Sequence, residues 1–425
     1  MNSKLLSWFI YRLSIRLPQV IKLKFKNLFY SPTNELNKQY IQQILSIPKV
    51  NESIDCVAIT QELYTRENDD AKLLAYYLPQ FYPFEDNDNW WGKGTTEWNN
   101  VSKAVPQYVG HYQPRLPGEL GYYDLRLIEN IKRQVELAKM YGIYGFCYYY
   151  YWFDPKRLLD KPLDTFVNDE SLDFPFCLCW ANESWAKRFW GTDNAVIMEQ
   201  PNSIDSYQRA IHDMVKYFKS KKYIKVNGAC MLVIYKPSNI PSPKKVLEYW
   251  RNYVMSYGIT LHIVGVKEFV FNLDLIELGF DAISEFQPGS VMKKADVVTL
   301  NVSHIRNDFS GTILSYKTLV NNIENQVSNL VHTYQAVMPM WDNTARKNNN
   351  KSLILDGSSP KLYKEWLVNV MQTTKKNSTL ADKFIFINAW NEWGEGAYLE
   401  PDRRYGYAYL NATKCAIEEL RLCKR

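Results

Sequence analysis

Short apolar segments alternate with longer amphipathic segments between residues 72 and 388 of the 425-residue chain. Eight of the apolar segments have the near-continuous hydrophobicity that is typical of parallel strands buried on both faces. These predicted strands cover residues 73–78, 145–152, 176–180, 230–235, 262–266, 282–286, 336–341 and 384–388. Apolar positions spaced three to four residues apart predict helices between them, at residues 124–141, 204–222, 244–257, 317–333 and 360–374. This alternation predicts an α/β fold, a (β/α)₈ TIM barrel.

A doubly wound parallel sheet is the alternative fold for the same alternation. Such a sheet often carries a Gly-x-Gly-x-x-Gly sequence after its first strand, and none follows residues 73–78. Most of the predicted strands end in aromatic, amide or ionisable residues, whereas helix-to-strand connections such as Tyr141-Gly142-Ile143 and Tyr257-Gly258-Ile259 are short and plain. Barrel enzymes place their chemistry at the carboxyl ends of the strands. The pattern therefore favours the barrel.

Residues 1–70 differ in character from the rest, and we predict a basic amphipathic arm with a linker there, followed by a barrel domain at 71–425. Residues 1–40 contain seven Lys or Arg and one Glu, which accounts for the whole net charge of +6 and leaves the remainder neutral. A neutral body argues against a nucleic-acid partner. Basic and apolar residues interleave in residues 3–29, which suits an amphipathic segment on an anionic membrane. A helix packed on the barrel or on a partner protein fits equally. A short helix is predicted at 35–47.

Signals for export, membrane insertion and metal binding are absent from the sequence. The apolar run at residues 5–11 is far shorter than the ~20 residues that span a bilayer, and no small-residue cleavage site follows it. The seven cysteines lack Cys-x-x-Cys spacing, so neither a zinc site nor a disulfide framework is predicted. Asp86-Asn87-Asp88 matches an Asp-x-Asp metal motif but does not directly follow a strand, and we interpret it as a solvated turn. We expect a cytoplasmic protein without metal or cofactor, with residues 1–30 as a peripheral contact to the inner face of the cytoplasmic membrane.

The segment at residues 383–404 carries the strongest chemical signal. It continues from the predicted eighth strand into the sequence Trp390-Asn391-Glu392-Trp393-Gly394-Glu395. Two carboxylates at a strand end suit glycosidic-bond chemistry, in which one carboxyl group donates a proton and the other acts as base or nucleophile. Indole faces provide apolar platforms for the C–H faces of sugars. We therefore predict that Glu392 and Glu395 are catalytic.

The other strand ends and the long loop at residues 85–115 supply candidate substrate-binding residues. This loop is longer than a plain connection requires, and ten of the 13 tryptophans fall in predicted loops or strand ends, which favours a binding surface. Aromatic, amide and carboxyl groups suit sugar rings and hydroxyls. We predict substrate contacts for Tyr77, Trp90, Trp91, Glu97, Trp98, His111, Tyr150, Trp180, Asn182, Glu183, Trp341, Asp342, Trp390, Asn391 and Trp393.

Six sequence runs are long and distinctive: YYLPQFYP (76–83), NDNWWGKGTTEW (87–98), GHYQPRLP (110–117), YGIYGFCYYYYWF (141–153), FPFCLCWANESW (174–185) and NAWNEWGEGAYLEPD (388–402). Together they resemble the WbsX-type family, over roughly residues 73–410. This family is usually labelled glycosyltransferase and is similar to glycoside hydrolase family 99. Its members are associated with bacterial O-antigen and other surface-polysaccharide gene clusters. The resemblance implies a (β/α)₈ barrel that acts on an oligosaccharide, a polysaccharide or a lipid-linked glycan.

The resemblance also implies roles for the two glutamates. The related hydrolases are retaining endo-α-mannosidases and α-mannanases with an Asn-Glu-Trp-His-Glu motif after the last strand. By this motif Glu392 matches the carboxylate that helps the neighbouring 2-hydroxyl attack the anomeric carbon, and Glu395 matches the general acid/base. Gly394 stands where those hydrolases have His. The mannose preference is therefore not carried over.

Three classes of function are compared. The first is an enzyme that makes or cleaves glycosidic bonds in the biosynthesis of a surface polysaccharide (O-antigen or capsule). The acceptor can be water or a sugar, so a transferase, a transglycosylase and a retaining mannosidase-like endoglycosidase stay open, with biosynthetic context favouring transfer. The second is a non-catalytic carbohydrate-binding protein, which the two glutamates disfavour because binding alone would accept Gln. The third, a membrane-surface scaffold, depends on residues 1–30 alone.

Overall fold

The predicted barrel is present in the computed structural model, which describes residues 31–46, 55–186, 195–268, 273–299, 302–303, 305, 308–324, 330–347 and 351–422. Neighbouring barrel strands pair in parallel, and the eighth pairs with the first in the register Leu73↔Ile385, which closes the barrel. The barrel strands are Lys72–Tyr77, Gly145–Phe153, Phe176–Trp180, Ala229–Ile234, Leu261–Val266, Ala282–Ser284, a seventh strand in the two pieces Thr333–Tyr334 and Ala336–Val337, and Phe384–Ile387.

The seventh strand is where the strand prediction is wrong. We predicted residues 336–341, but the barrel strand begins at Thr333 and ends at Val337. Trp341–Asp342 forms a separate strand, because it pairs antiparallel with Leu353–Asp356, which in turn pairs with Thr312–Ser315. The predicted helix at 317–333 is likewise too long: the helix observed is Tyr316–Glu324, and residue 333 is already in the barrel.

Amphipathic helices pack around the barrel. In Ile204–Phe218 the buried residues Tyr207, Ile211 and Met214 recur at helical spacing, and the Ser203 hydroxyl accepts a hydrogen bond from the Ser206 N–H at the N-terminus. Gly142 and Gly258 have φ of 82° and 70°, and glycine adopts this left-handed conformation without a steric penalty. The described helices are Ser31–Ser46, Glu85–Trp91, Glu97–Lys103, Ile128–Met140, Asp160–Asn168, Ile204–Phe218, Pro243–Met255, Tyr316–Glu324, Pro360–Asn377 and Ala408–Leu422.

Short strands and 3₁₀ turns lie around the barrel strands, most of them beyond the carboxyl ends of these strands. The short strands are Lys156–Leu158, Trp185–Ala186, Val196–Met198, Lys225–Val226, Asn391–Glu392 and Ala397–Tyr398, and the 3₁₀ turns are Pro237–Asn239, Met292–Lys294, Asn343–Arg346 and Trp393–Glu395. Two of these turns carry residues of the site described below.

Aromatic side chains fill the barrel. The ring of Tyr76 lies 5.6 Å from that of Tyr149, 5.0 Å from that of Phe286 and 5.4 Å from that of Phe386, measured between centroids. The interior is therefore a packed core, as in other barrels of this type. Ligands must bind at its end.

The N-terminal helix Ser31–Ser46 agrees with the short helix predicted at 35–47. The Gln43 amide donates to the His111 carbonyl at 2.6 Å and accepts from the Gly110 N–H at 2.8 Å, which attaches this helix to the loop at 85–115. The arm at residues 1–30 lies outside the described residues, so its contact with a membrane stays a prediction. Among the described helices, none combines the length and the apolarity that crossing a bilayer requires.

Candidate active site

A cavity of about 440 Å³ opens at the carboxyl ends of the barrel strands. Its aromatic walls are Tyr149, Tyr151, Trp185, Tyr235, Phe286 and Trp341, and its charged lining residues are Glu97, Glu183, Lys236, Lys267, Glu268, Arg346, Glu392 and Glu395. Ring faces beside convergent polar groups are the features of a site for a polar ligand with apolar faces, as a sugar has.

Glu392 and Glu395 lie on a loop that is fixed at both sides. Asn391–Glu392 pairs with Ala397–Tyr398, and the turn Trp393–Glu395 joins the two strands. The side chain of Asn391 accepts from the Leu78 N–H at 2.7 Å and donates to the Leu78 carbonyl at 3.0 Å, which ties the loop to the end of the first barrel strand. The two carboxyl groups therefore project from a rigid support.

Arg346 joins the two glutamates to a third carboxylate. Its Nη2 lies 2.8 Å from Glu392 Oε2, its Nη1 lies 2.8 Å from Glu395 Oε1, and its Nε lies 2.7 Å from Glu97 Oε1. One guanidinium thus faces three carboxyl groups on the cavity wall. Because a single positive charge cannot balance three negative ones, at least one of these carboxyl groups is favoured to keep its proton.

A buried network around Asp342 positions Arg346. Asp342 Oδ1 accepts from the N–H and hydroxyl of Thr344, at 3.0 and 2.6 Å, and so caps the turn Asn343–Arg346. Its Oδ2 accepts from the Gln113 amide at 2.6 Å and lies 2.7 Å from His111 Nε2. Since His111 Nδ1 accepts the Gln107 N–H, the ring proton is assigned to Nε2. Burial alone would raise the pKa of Asp342, but His111, Arg115 and Thr344 outweigh it and hold that pKa below its usual range.

Glu97 enters the site from the helix Glu97–Lys103, after the first barrel strand. The Glu97 N–H donates to the Gln80 carbonyl at 3.1 Å, and Thr96 caps the helix through the Trp98 N–H. The Glu97 side chain is fully buried. A Cβ atom placed on Gly394 would lie 1.7 Å from Glu97 Oε1 and 2.9 Å from Arg346 Nε. The Glu97–Arg346 pair therefore occupies the space that a side chain at residue 394 would need.

Burial and crowding raise the pKa of both predicted catalytic residues. Desolvation raises the pKa of Glu392 to about 8, with Glu395 and Glu97 adding to the rise and Arg346 opposing it. Desolvation also raises the pKa of Glu395, again with Arg346 in opposition and Glu97 in support. Like-charged groups this close share protons, so the pair titrates as a unit. The unit can hold one proton near neutral pH, as acid–base work on a glycosidic bond requires.

The structure brings some of the predicted site residues to the cavity and places others behind its wall. The predicted residues that line the cavity are Glu97, Glu183, Trp341, Glu392 and Glu395. Asn182 and Asn391 bond the backbone of the lining residues Lys236 and Leu78, and His111 and Asp342 hold the turn that carries Arg346. For the two asparagines, His111 and Asp342, the described contacts support a positioning role in place of the predicted contact with substrate. Trp98 and Trp393 lie behind the wall, where their indole N–H groups donate to the Tyr123 carbonyl and the Glu400 carboxylate.

The remaining predicted residues lie outside the cavity lining. Trp180 packs against Tyr207 and Trp250, and Trp390 packs against Phe146. Neighbouring elements therefore cover both indole rings. Four more predicted residues are also outside the lining: Tyr77, bonded to Gln134; Tyr150, bonded to Asp213; Trp90, packed against Phe84 and Trp185; and the half-buried Trp91. The interpretation of the tryptophans as a binding surface is therefore corrected: several are core residues.

Sequence reasoning missed several residues that line the cavity. Arg346 is the main one, and the aromatic residues Tyr149, Tyr151, Trp185 and Tyr235 were counted only as part of strands or motif runs. The aromatic run at 148–152 contained a signal, since alternate residues of a strand point the same way: Tyr149 and Tyr151 face the cavity while Tyr150 faces outward. For Arg346, in the polar sequence NTARKNNN, no local signal exists.

The Asp86-Asn87-Asp88 motif is not a solvated turn but part of the helix Glu85–Trp91. Lys156 pairs with Asp86 at 2.6 Å, Asp88 accepts the Gly94 N–H, and Asn87 is buried and donates to the Thr95 carbonyl. Within the described ranges, no group of three or more His, Cys, Asp or Glu side chains is arranged to hold a metal ion.

Comparison with known proteins gives a family match over most of the chain. The family model described as "Glycosyltransferase WbsX" matches residues 73–413. The uncharacterized protein WxcX of Xanthomonas campestris pv. campestris, in two strains, is 42% identical over 348 residues, which cover 82% of this chain and 50% of the relative. The chain thus spans about half the length of the curated relatives it matches.

Solved structures match this chain at low sequence identity. A glycoside hydrolase-like protein matches 85% of this chain and 98% of its own chain, with 14% identity and a TM-score of 0.52. The GH99 endo-alpha-mannosidase from Bacteroides thetaiotaomicron matches 84% of this chain and 99% of its own, with 13% identity and a TM-score of 0.49. The first likeness agrees with the barrel described above and concerns the fold alone.

Proposed function

The chain belongs to the WbsX glycosyltransferase family of carbohydrate-active enzymes, and from this premise we propose that it makes or cleaves glycosidic bonds of a bacterial surface polysaccharide through Glu392 and Glu395. The observation that carries the proposal is the placement of both carboxyl groups on one guanidinium, in a cavity walled by aromatic rings. Enzymes that break glycosidic bonds usually place a pair of carboxyl groups beside an oxocarbenium-like centre.

The two glutamates take different roles in the proposal. The side chain of Glu395 is 25% exposed and that of Glu392 is 6% exposed. A general acid/base has to reach the departing oxygen and then the incoming acceptor, which suits the more accessible Glu395. The deeper Glu392 lies near Tyr149 and Tyr151, and its charge adds to burial in raising the pKa of both phenols. This location suits contact with the reacting sugar ring.

The proposed reaction starts from the form of the coupled pair in which the shared proton is on Glu395 and Glu392 is ionised, and it has two steps. Glu395 donates its proton to the departing glycosidic oxygen while Glu392 accepts the proton of the 2-hydroxyl, whose oxygen attacks the anomeric carbon to give a 1,2-anhydro sugar. In the second step, Glu395 removes a proton from the acceptor hydroxyl, whose oxygen opens the strained ring at the anomeric carbon. Glu392 returns its proton to the 2-oxygen. Arg346 holds both carboxyl groups in place throughout and offsets the charge that moves between them.

Transfer to a sugar is the favoured outcome, given the family, and hydrolysis by a retaining endoglycosidase is the second candidate. Both share the first step and differ in whether a sugar hydroxyl or water enters the second. The proposed substrate is an oligosaccharide, a polysaccharide or a lipid-linked glycan. Residues 1–30 are proposed to hold the enzyme at the inner face of the cytoplasmic membrane, where lipid-linked glycans are assembled.

The experiment is to incubate the full chain with nucleotide sugars, lipid-linked sugars and O-antigen oligosaccharides and to identify the products by mass. Wild type and the surface control Glu365→Gln should form product, whereas Glu392→Gln and Glu395→Gln should be slower by about 10³-fold, as expected for loss of a general acid or base. Nucleotide release would indicate a sugar-nucleotide transferase, and shortened oligosaccharides an endoglycosidase. Equal product formation by all four proteins would contradict the proposal.

A further inference from the structure

Two lysines that line the cavity come just after two neighbouring barrel strands. Lys236 follows the strand Ala229–Ile234, and Lys267 follows the strand Leu261–Val266. Ile234 pairs with Gly265, and each lysine comes two residues after its strand's member of this pair, so the two lysines are at matching positions. Both line the cavity. Parallel strands are about 4.8 Å apart, so the two side chains leave the barrel as an adjacent pair.

The backbone of Lys236 is fixed by a buried amide. The Lys236 N–H donates to Asn182 Oδ1 at 2.8 Å, and Asn182 Nδ2 donates to the Lys236 carbonyl at 2.9 Å. Asn182 is fully buried, and its own carbonyl accepts from the Asn239 amide at 2.7 Å. This anchoring directs the Lys236 side chain over the Tyr235 ring, with Nζ 5.5 Å from the ring centroid.

Acidic neighbours only partly neutralise the lysine pair. Glu268 Oε2 lies 3.7 Å from Lys236 Nζ, but its two oxygens also accept from the N–H and hydroxyl of Ser238, each at 2.9 Å. Glu285, beside Lys267, is half-buried and accepts the Ala336 N–H at 3.2 Å, and burial raises the pKa of its carboxyl group. Glu183 also lines the cavity. At 3.7 Å the Lys236 ammonium group is too far from Glu268 for a direct hydrogen bond, so its N–H donors can bind a ligand in the cavity.

The lysine pair lies close to the paired glutamates. Tyr235 lines the cavity together with Glu183, Glu392 and Glu395, and Lys236 Nζ lies 5.5 Å from the centroid of the Tyr235 ring. The lysine pair and the paired glutamates therefore share one cavity of about 440 Å³. A group held by Lys236 belongs to a ligand that occupies this cavity.

We propose that Lys236 and Lys267 form an oxyanion subsite, and that the substrate of this enzyme carries a carboxylate or phosphate group that lies in the same cavity as the reacting bond. The inference rests on the proposed function, because it assumes that the reacting sugar lies at Glu392 and Glu395. Lysine ammonium groups bind such oxyanions as point charges. The anion comes from a uronic acid in the glycan or from a phosphate at the donor's anomeric position.

The test is a binding experiment that needs no turnover. Calorimetric titrations use the full-length Glu395→Gln protein with three probes: trigalacturonate, inorganic pyrophosphate and neutral mannotriose. The same titrations are repeated after adding Lys236→Gln and Lys267→Gln together, and after adding the exposed control Lys361→Gln. Circular dichroism and melting confirm that each variant is folded.

The subsite predicts that trigalacturonate or pyrophosphate binds and that the double lysine substitution weakens this binding by at least tenfold, while Lys361→Gln leaves it unchanged. Binding of trigalacturonate alone would assign the anion to a uronic acid, and binding of pyrophosphate alone would assign it to a donor phosphate. Anionic probes that fail to bind, or that bind the double variant as tightly as the parent, would overturn the inference. Either of those outcomes would leave the catalytic roles of the glutamates standing, because catalysis is not measured.

Discussion

At Gly394 the backbone passes so close to Glu97 that a side chain cannot be added without displacing it. The hypothetical Cβ lies 1.7 Å from Glu97 Oε1, far inside any contact distance. The histidine that the related hydrolase motif carries at this position is therefore incompatible with Glu97 and Arg346 where they stand. The identities of residues 97, 346 and 394 are therefore coupled in this structure.

Gly394→Ala should destabilise the protein by about 2 kcal/mol, because it overpacks a buried ion pair. The double variant Glu97→Ala/Gly394→Ala should be less destabilised than the sum of the two single changes, since the smaller residue 97 makes room for the methyl group. Urea unfolding of the four proteins measures this coupling. Additive effects of the two substitutions would show that residues 97 and 394 do not compete for space.

Glu392 also gives the stability a defined pH dependence. Its pKa in the folded protein is about 8 against an ordinary value of 4.5, so the folded state keeps a proton that the unfolded state loses first. This contribution is fully present below pH about 4.5 and is lost as the pH rises to about 8. Glu392→Gln should therefore make the decline of the melting temperature between pH 5 and 8 shallower than in wild type and in the control Glu365→Gln. An unchanged slope would mean that Glu392 is ionised throughout.

At the scale of elements, the turn Asn343–Arg346 links the loop at 85–115 to the loop that carries Glu392 and Glu395. Asp342 caps this turn and is itself held by His111 and Gln113, while Arg346 at its end holds three carboxyl groups. Residues 85–115 and residues 391–395 are far apart in the sequence, and Arg346 joins Glu97 of the first segment to Glu392 and Glu395 of the second. The site is assembled by this turn.

Asp342→Ala should cost about 3 kcal/mol of stability, because it removes one partner from a buried hydrogen-bonded charge network. Asp342→Asn should cost less, since the amide oxygen can still cap the turn at Thr344. Because the pKa of Asp342 is held below its usual range, its contribution is present above pH about 4 and is lost as the pH falls. Chemical unfolding at pH 7 and at pH 3.5 measures both effects. Equal stability of Ala, Asn and wild-type proteins at pH 7 would contradict the role of the cap.

The sequence was sufficient for the elements that depend on local pattern and insufficient for those that depend on closure of the barrel. That Glu392 and Glu395 line the same cavity was predictable, because they are neighbours in one motif at a strand end. Arg346 was not, because it meets Glu97 across 249 residues and Glu392 across 46. Trp180 and Trp390 were misjudged because a strand-end tryptophan has the same local sequence whether it faces the cavity or packs against the surrounding elements.

At the scale of the whole molecule, the N-terminal helix is attached to the barrel beside the Asp342 network. Gln43 bonds the backbone of Gly110 and His111, and the His111 ring bonds Asp342. The segment that follows the basic arm is thus joined to the same loop that supports the active site.

Gln43→Ala should release the helix Ser31–Ser46 while leaving the barrel intact. Two lost hydrogen bonds, worth about 1 kcal/mol each, should speed amide exchange in this helix by at least tenfold, with no change in the exchange of the barrel strands. The neighbouring exposed residue supplies the control, Gln42→Ala. Hydrogen exchange read by mass spectrometry distinguishes the two variants. Identical exchange in both would show that Gln43 does not hold the helix.

The measurement that tests the central claim most directly is the surface polysaccharide of a host strain whose own copy of the gene is replaced by a variant. The strain with Glu395→Gln should lose the polysaccharide processing that the wild-type copy supports, with the protein present at normal level, whereas Glu365→Gln should retain it. Polysaccharide size and composition, read by gel and by mass, give the result. Processing that survives Glu395→Gln undiminished would contradict the catalytic role of the paired glutamates and would leave a carbohydrate-binding protein as the account.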